Sequence, residues 1–128
     1  MMKLSIVIPV YNVEPFIRGT LDSIYKQGVD ESLFEVIVVN DGTPDNSMAI
    51  VEMFADAHTN LAIINQKNQG LSAARNSGIK VAKGDYIWVV DSDDSITENS
   101  ISQALGEITR HPYVEMFCFD LNEQRGDK

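Results

Sequence analysis

Tyr86-Ile87-Trp88-Val89-Val90-Asp91-Ser92-Asp93-Asp94 is the stretch on which the fold turns. Five apolar or aromatic residues run without a break into three acids within four positions. Lys83-Gly84 just before it is a turn signal. An unbroken apolar run behind such a turn predicts a strand buried on both faces, the pattern of parallel sheets. The strand then stops in carboxylates. In an open α/β sheet the ligand crevice lies outside the carboxyl ends of the strands. Acids gathered there point to a hard-cation site serving a phosphate or diphosphate. A short acidic motif also occurs as a solvated turn that caps the next helix, and this stretch alone leaves both readings open.

Working outward, the remaining segments alternate strand and helix. Leu4 to Val10 reads as a first strand, with Pro9 near its end where a missing N–H is tolerated. Glu14-Pro15 opens a helix whose Ile17, Leu21, Ile24 and Tyr25 fall on one face, and Gly28 ends it. Phe34 to Val39 is a second buried strand, followed by the turn cluster Asn40-Asp41-Gly42-Thr43-Pro44. A helix from about Asp45 shows Ile50, Met53, Phe54 and Ala57 on one face. Leu61 to Asn65 makes a short third strand, and Gln66 to Gly70 a polar loop. Leu71 to Val81 is a helix rich in small residues, suited to lying close to a sheet or a ligand. Tyr86 to Val90 is the fourth strand, and Ser95-Ile96-Thr97-Glu98 matches a capping box, with Thr97 a rival cap. Ile101, Ala104, Leu105 and Ile108 give the fourth helix its apolar face, and Tyr113 to Asp120 is a fifth strand. The order βαβαβαβαβ predicts a mostly parallel, Rossmann-like α/β sheet with helices on both faces. Residues 1–121 form one domain and 122–128 a loose tail.

Composition bounds the function. The 128 residues suffice for one domain with a real core. Apolar residues make up 44% and charged ones 23%, the balance of a globular protein. No apolar run approaches the ~20 residues that cross a bilayer, and Met1-Met2-Lys3-Leu4 enters a strand with no secretory pattern behind it. The single cysteine, Cys118, sits in an apolar run, which predicts a core thiol and a reducing, cytoplasmic setting. A net charge of −9 argues against a nucleic-acid partner or an anionic-membrane surface. An anionic ligand would therefore need local help from a metal, an arginine or backbone N–H groups.

Three strand ends carry the polar residues: Tyr11-Asn12, Asn40-Asp41 and Asp91 to Asp94. Neither the dinucleotide fingerprint nor the P-loop occurs, so a nucleotide would be gripped differently. Tyr11 could stack on a base, Asp41 could accept from a base N–H, and a metal could neutralise a diphosphate. Four segments then carry a resemblance: Ser5 to Asn12; Val36 to Thr43; Asn68 to Gly78; and Gly84 to Asp94. In this order and spacing they resemble the nucleotide-sugar-binding N-terminal part of a family 2 glycosyltransferase with the GT-A fold. Thr43 stands where serine is commoner.

The resemblance implies an inverting transfer of a hexosyl or N-acetylhexosaminyl group from a nucleoside-diphosphate sugar, a UDP-sugar favoured, to a carbohydrate or lipid-linked acceptor hydroxyl in polysaccharide biosynthesis. Pro9 and Tyr11 would line the base pocket, and Asp41 would bond the base edge. Arg75 would lie by the base or diphosphate. Asp91 would reach the ribose or the metal's water shell, and Asp93 would ligate Mn²⁺ or Mg²⁺ directly in the Asp-x-Asp motif. Asn12 and Ser92, beside these, belong to the same nucleotide-sugar set. Glu14 and Lys67 are nearby candidates, against plainer readings as a helix-start acid and a solvated loop cation. The family's catalytic base lies well beyond the Asp-x-Asp motif, so it is expected past Lys128, with the acceptor half absent and transfer by this chain poor. Surface meant for that half would favour self-association, and later segments of the full-length protein would set any peripheral membrane attachment. Two rival readings are a receiver-like phospho-acceptor domain and a haloacid-dehalogenase-like phosphatase. The first wants paired acids after strand one and a lysine after strand five, where this chain has Tyr11-Asn12 and Leu121-Asn122. The second wants its Asp-x-Asp on the first strand.

Overall fold

The structure, a computed structural model, describes residues 3–92, 96 and 100–110, the last four of these as backbone only. Asp93, the capping box apart from Ile96, Cys118, the expected fifth strand and the tail lie outside the described residues. The elements are β1 (Leu4–Val10), α1 (Glu14–Tyr25), β2 (Phe34–Asp41), α2 (Ser47–Ala57), β3 (Leu61–Gln66), α3 (Leu71–Val81), β4 (Tyr86–Val89) and α4 (Ser100–Arg110). The four strands form one parallel sheet in the order β3-β2-β1-β4.

Alternation along β1 sorts the core into two layers. Leu4, Ile6, Ile8 and Val10 point to one face with Val36, Val38 and Trp88. There they meet Ile17, Leu21 and Ile24 of α1, Val51 of α2, and Ile101 and Ala104 of α4. Val7, Ile37 and Val39 point to the other face and meet Ala74 of α3. The expected α/β sheet with helices on both faces is therefore present. Because β1 and β2 are buried along both faces, their sequences are continuous apolar runs. The contacts on the α3 side depend on Gly78, where a Cβ would overlap a Val7 methyl and reach Val39 at 3.2 Å. The small residues of α3 thus let the helix sit against the sheet.

Two expectations shift. The apolar face of α2 is turned: Ser47 and Val51 are buried, Ile50 and Phe54 half-buried, and Met53 is 55% exposed. Stripes through positions 47, 51 and 54 and through 50, 53, 54 and 57 both fit a helical period, and only the packing against the sheet selects the first. On β4, Tyr86 and Trp88 are buried while Ile87 and Val89 are half-buried, since the latter lie on the face where α3 packs over β1 and β2 rather than over β4. The Lys83-Gly84 turn is held at the opposite end from the acids. Lys83 N–H donates to buried Glu35 at 2.6 Å and Gly84 N–H to Ser5 Oγ at 2.8 Å. Among the described residues, no helix is long and apolar enough to cross a membrane.

Candidate functional site

The chain leaves β1 for β2 and β3 on one side and returns to place β4 on the other. The strand order reverses between β1 and β4, which is where open α/β sheets form their ligand crevice. A cavity of about 300 Å³ opens there, lined by Pro9, Tyr11, Val13, Leu71, Arg75, Asp91 and Ser92. That volume lies at the lower end of the ordinary range for small-molecule sites, ~300–1,000 Å³. The carboxyl ends of β1 and β4 supply two walls and the first turns of α3 the third.

The lining is chemically divided. Tyr11, 37% exposed, and Leu71, 47% exposed, offer apolar surface beside Pro9 and Val13. In the same lining Arg75 Nη2 donates to Asp91 Oδ1 at 3.2 Å, with both side chains more than a third exposed. A cation and a carboxylate thus meet at the rim of an apolar recess, both accessible to a ligand. Of the residues expected from the sequence, Pro9, Tyr11, Arg75, Asp91 and Ser92 are brought together here. Val13 and Leu71 were not expected. Their only signal was position, one just after β1 and one at the start of α3.

Asn12, Glu14, Asp41 and Lys67 are not in the lining. Lys67 is exposed on the loop after β3. Asp41 is buried, and its carboxylate collects four donors. Oδ1 accepts from Gln66 Nε2 and Gln69 N–H, both at 2.9 Å. Oδ2 accepts from Asn68 Nδ2 at 3.1 Å and Gly70 N–H at 2.9 Å. Burial works to raise its pKa, yet the bonds from Gln66, Gln69 and Gly70 outweigh it and the pKa is lowered. Asp41 therefore stands as a fixed anion just ahead of α3, where the helix dipole favours it, and shapes the loop that leads to Leu71 and Arg75. Gly42 completes the approach: its φ is +70°, and a Cβ would come within 2.7 Å of the Asn68 nitrogen.

Asn12 and Glu14 belong to a clasp between the loops after β1 and β2. Asn12 adopts φ +57°, a left-handed conformation that asparagine tolerates, and its N–H donates to Thr43 Oγ1 at 2.8 Å. Asp45 Oδ2 accepts from Glu14 N–H at 3.1 Å, and Glu14 Oε1 accepts from Asn46 N–H at 3.1 Å. Each acid thus satisfies a free donor at the start of the other's helix. Asp45 Oδ1 also accepts from Thr43 Oγ1 and Ser47 Oγ, both at 2.7 Å. Burial opposes ionisation of Asp45, but the Ser47 and Thr43 bonds prevail and pull its pKa down to about 2. In the sequence Asp45 marks only a helix start. Thr43 and Ser47 are local partners, two residues away on either side, whereas the Glu14 N–H comes from the start of α1 and no local pattern names it.

Asp91 is a hard oxygen donor at the cavity wall, and Asp93, the other expected metal ligand, lies outside the described residues. Among the described residues no group of three or more His, Cys, Asp or Glu side chains could hold a metal ion. The Asp91 carboxylate is of the hard-oxygen type that Mg²⁺ or Mn²⁺ takes in phosphate-handling sites, where one or two carboxylates suffice beside the substrate's own phosphates.

Comparison with known proteins places this architecture. The uncharacterized glycosyltransferase EpsJ of Bacillus subtilis is 41% identical over 125 residues, 98% of this chain and 36% of that protein. The crystal structure of Staphylococcus aureus TarS 1–349 in complex with UDP-GlcNAc superposes with a TM-score of 0.78 at 34% identity. That match covers 86% of this chain and 32% of the TarS chain. The Pyrobaculum calidifontis mannosyltransferase PcManGT, in complex with GDP-Man and Mn²⁺, shares the fold at a TM-score of 0.76 and 24% identity, over 83% of this chain and 32% of that one. The chain thus spans about a third of the length of these relatives. The family model described as "Glycosyl transferase family 2" matches residues 5–127, nearly the whole sequence, and the chain belongs to that family.

Proposed function

We propose that this chain is the donor-binding part of an inverting glycosyltransferase, and that the β1–β4 cavity receives the nucleoside diphosphate of a UDP-sugar. The observation that carries the reading is that the Arg75–Asp91 pair and the Tyr11 ring line one partly apolar cavity at the switch point. A nucleotide presents the same sequence of chemistries, a flat ring and then a diphosphate. Tyr11 and Pro9 would take the base, Arg75 the phosphates, and Asp91 with Ser92 the ribose side. Asp41 would act through the loop ahead of α3, since the four hydrogen bonds to its carboxylate are internal. Glu14 and Asn12 would act through the clasp that sets the course of the chain after Tyr11.

A divalent cation held by Asp91 and Asp93 would supply Lewis-acid stabilisation of the departing diphosphate. Arg75 adds charge on the same side, and the rigid β1 and β4 ends orient the donor. Transfer also needs a carboxylate within ~3 Å of the acceptor hydroxyl to take its proton. Asp91 is the one acid lining the cavity among the described residues, and Arg75 engages it. In this proposal another part of the protein would supply the base, and this chain would bind donor without efficient transfer. The TarS complex supports UDP-GlcNAc as the first donor to try. Family membership sets aside the phospho-acceptor and phosphatase readings.

Titration calorimetry tests this directly. UDP should bind in Mn²⁺ and bind more weakly in EDTA, and Asp91→Asn should abolish most of that difference. Absence of UDP and GDP binding by the folded protein under both conditions would overturn the proposal.

A further inference from the structure

The apolar face of α1 enters the core, but a second stripe of the same helix faces one stretch of chain far away in sequence. Thr20 Oγ1 donates to the Ser92 carbonyl at 2.9 Å. Ser23 Oγ accepts from Ile96 N–H at 3.0 Å. Gln27, just past the helix, accepts from Ile101 N–H through Oε1 at 3.2 Å. Spacings of three and four residues keep these side chains on one side of a helix, over roughly 10 Å. Their partners follow the same order from the end of β4 into the first turn of α4.

The stripe is itself braced. Ser23 Oγ donates to the Thr20 carbonyl at 2.7 Å, which turns its lone pairs towards Ile96. Gln27 Nε2 donates to the Ser23 carbonyl at 2.8 Å, which presents Oε1 to Ile101. Ile101 N–H is one of the first-turn donors that a helix cannot satisfy internally. The sheet holds the β4 chain as far as Val90, whose N–H donates to the Val7 carbonyl at 2.9 Å. Two residues on, buried Thr20 takes up that task at Ser92, also buried. Asp91 lies between these two anchors, and Asp93 follows the second in sequence.

We propose that Thr20, Ser23 and Gln27 are positioning residues for the end of β4, fixing where the Asp91 carboxylate stands against Arg75 and a bound metal–diphosphate. This rests on the donor-binding reading above. A role in general stability alone would weaken all ligands alike. A positioning role should act on the metal-assisted part of diphosphate binding and spare the base.

The test compares the wild-type chain with Thr20→Val, Thr20→Ser and Gln27→Met. UDP and uridine are titrated with Mn²⁺ and with EDTA, and amide hydrogen exchange is followed at Ile96 and Ile101. Thr20→Val should cut the Mn²⁺-dependent gain in UDP affinity roughly tenfold and leave uridine binding unchanged, with Thr20→Ser restoring the gain. Gln27→Met, at a more open position, should lower the same gain by a smaller factor and speed exchange at Ile101. An unchanged Mn²⁺ gain in both Thr20→Val and Gln27→Met, or an equal loss for uridine and UDP, would overturn the inference. If wild-type chain binds no nucleotide, the donor-binding reading falls. The stripe's hold on the chain then stands or falls with faster or unchanged exchange at Ile96 and Ile101 in the variants.

Discussion

Arg75 and Asp91 form an ion pair with more than a third of each side chain in solvent. Exposed pairs of this kind contribute about 0–1 kcal/mol to folding, so stability does not explain their place at the cavity rim. Arg75→Ala should leave the unfolding midpoint nearly unchanged and weaken UDP binding about ten- to a hundredfold, the range of one charge-assisted hydrogen bond at ~1.5–3 kcal/mol. Calorimetry at two salt concentrations would also show a shallower salt dependence in the variant. Tyr11→Ala should weaken UDP by ~1–3 kcal/mol, the range for loss of an aromatic face under a base, and Tyr11→Phe should be close to neutral. Equal effects of both Tyr11 variants would instead assign the role to the hydroxyl. At this scale the sequence was legible where a side chain meets the cavity directly, as with Pro9, Tyr11, Arg75, Asp91 and Ser92. It was less so for Asp41 and Glu14, whose carboxylates turn towards backbone donors of neighbouring loops. An acid's residue type says that it needs donors, not which ones it finds.

The loops and helices around the cavity are held by ionised carboxylates. Asp45 joins the starts of α1 and α2, and Asp41 braces the loop before α3. Both folded-state pKa values lie below the ordinary carboxylate value, that of Asp45 at about 2. A carboxylate lowered in this way adds stability that is present above its unfolded pKa of ~3.9 and lost as pH falls through the folded value. Resistance to urea unfolding should therefore weaken as pH falls from about 4 to about 2, and Asp45→Asn should flatten that dependence. At pH 7, Asp45→Ala removes a cap and its neighbouring bonds and should cost about 1–2 kcal/mol. Packing of α3 makes a separate prediction. Gly78→Ala forces a methyl into Val7, and overpacking of this kind costs ~1–3 kcal/mol, read from the same unfolding curves. An unchanged midpoint would mean that α3 can lift from the sheet without loss. Of these element-scale features, the small-residue character of α3 was readable in sequence, whereas the rotation of α2 that buries Val51 and exposes Met53 was not.

For the whole molecule, the chain covers about a third of the relatives it matches and lines its cavity with one acid among the described residues. Under the donor-binding proposal, binding without turnover is the expected outcome. UDP release from UDP-GlcNAc, followed in a coupled assay with and without added acceptor sugars, should stay near background while UDP still binds by calorimetry. Robust release would place a catalytic base within these 128 residues. The alternation of apolar runs and turn signals by itself determined the order of elements and the parallel sheet, because strand and helix periods and the burial of both sheet faces act within short windows of chain. The acids at the end of β4 were visible on the same terms. Only the tertiary structure decided that β4 lies beside β1, that Arg75 meets Asp91 sixteen residues away, and that Thr20 holds Ser92 across 72 residues. Such contacts arise from strand order and helix packing, and their partners are brought together only after the sheet is assembled.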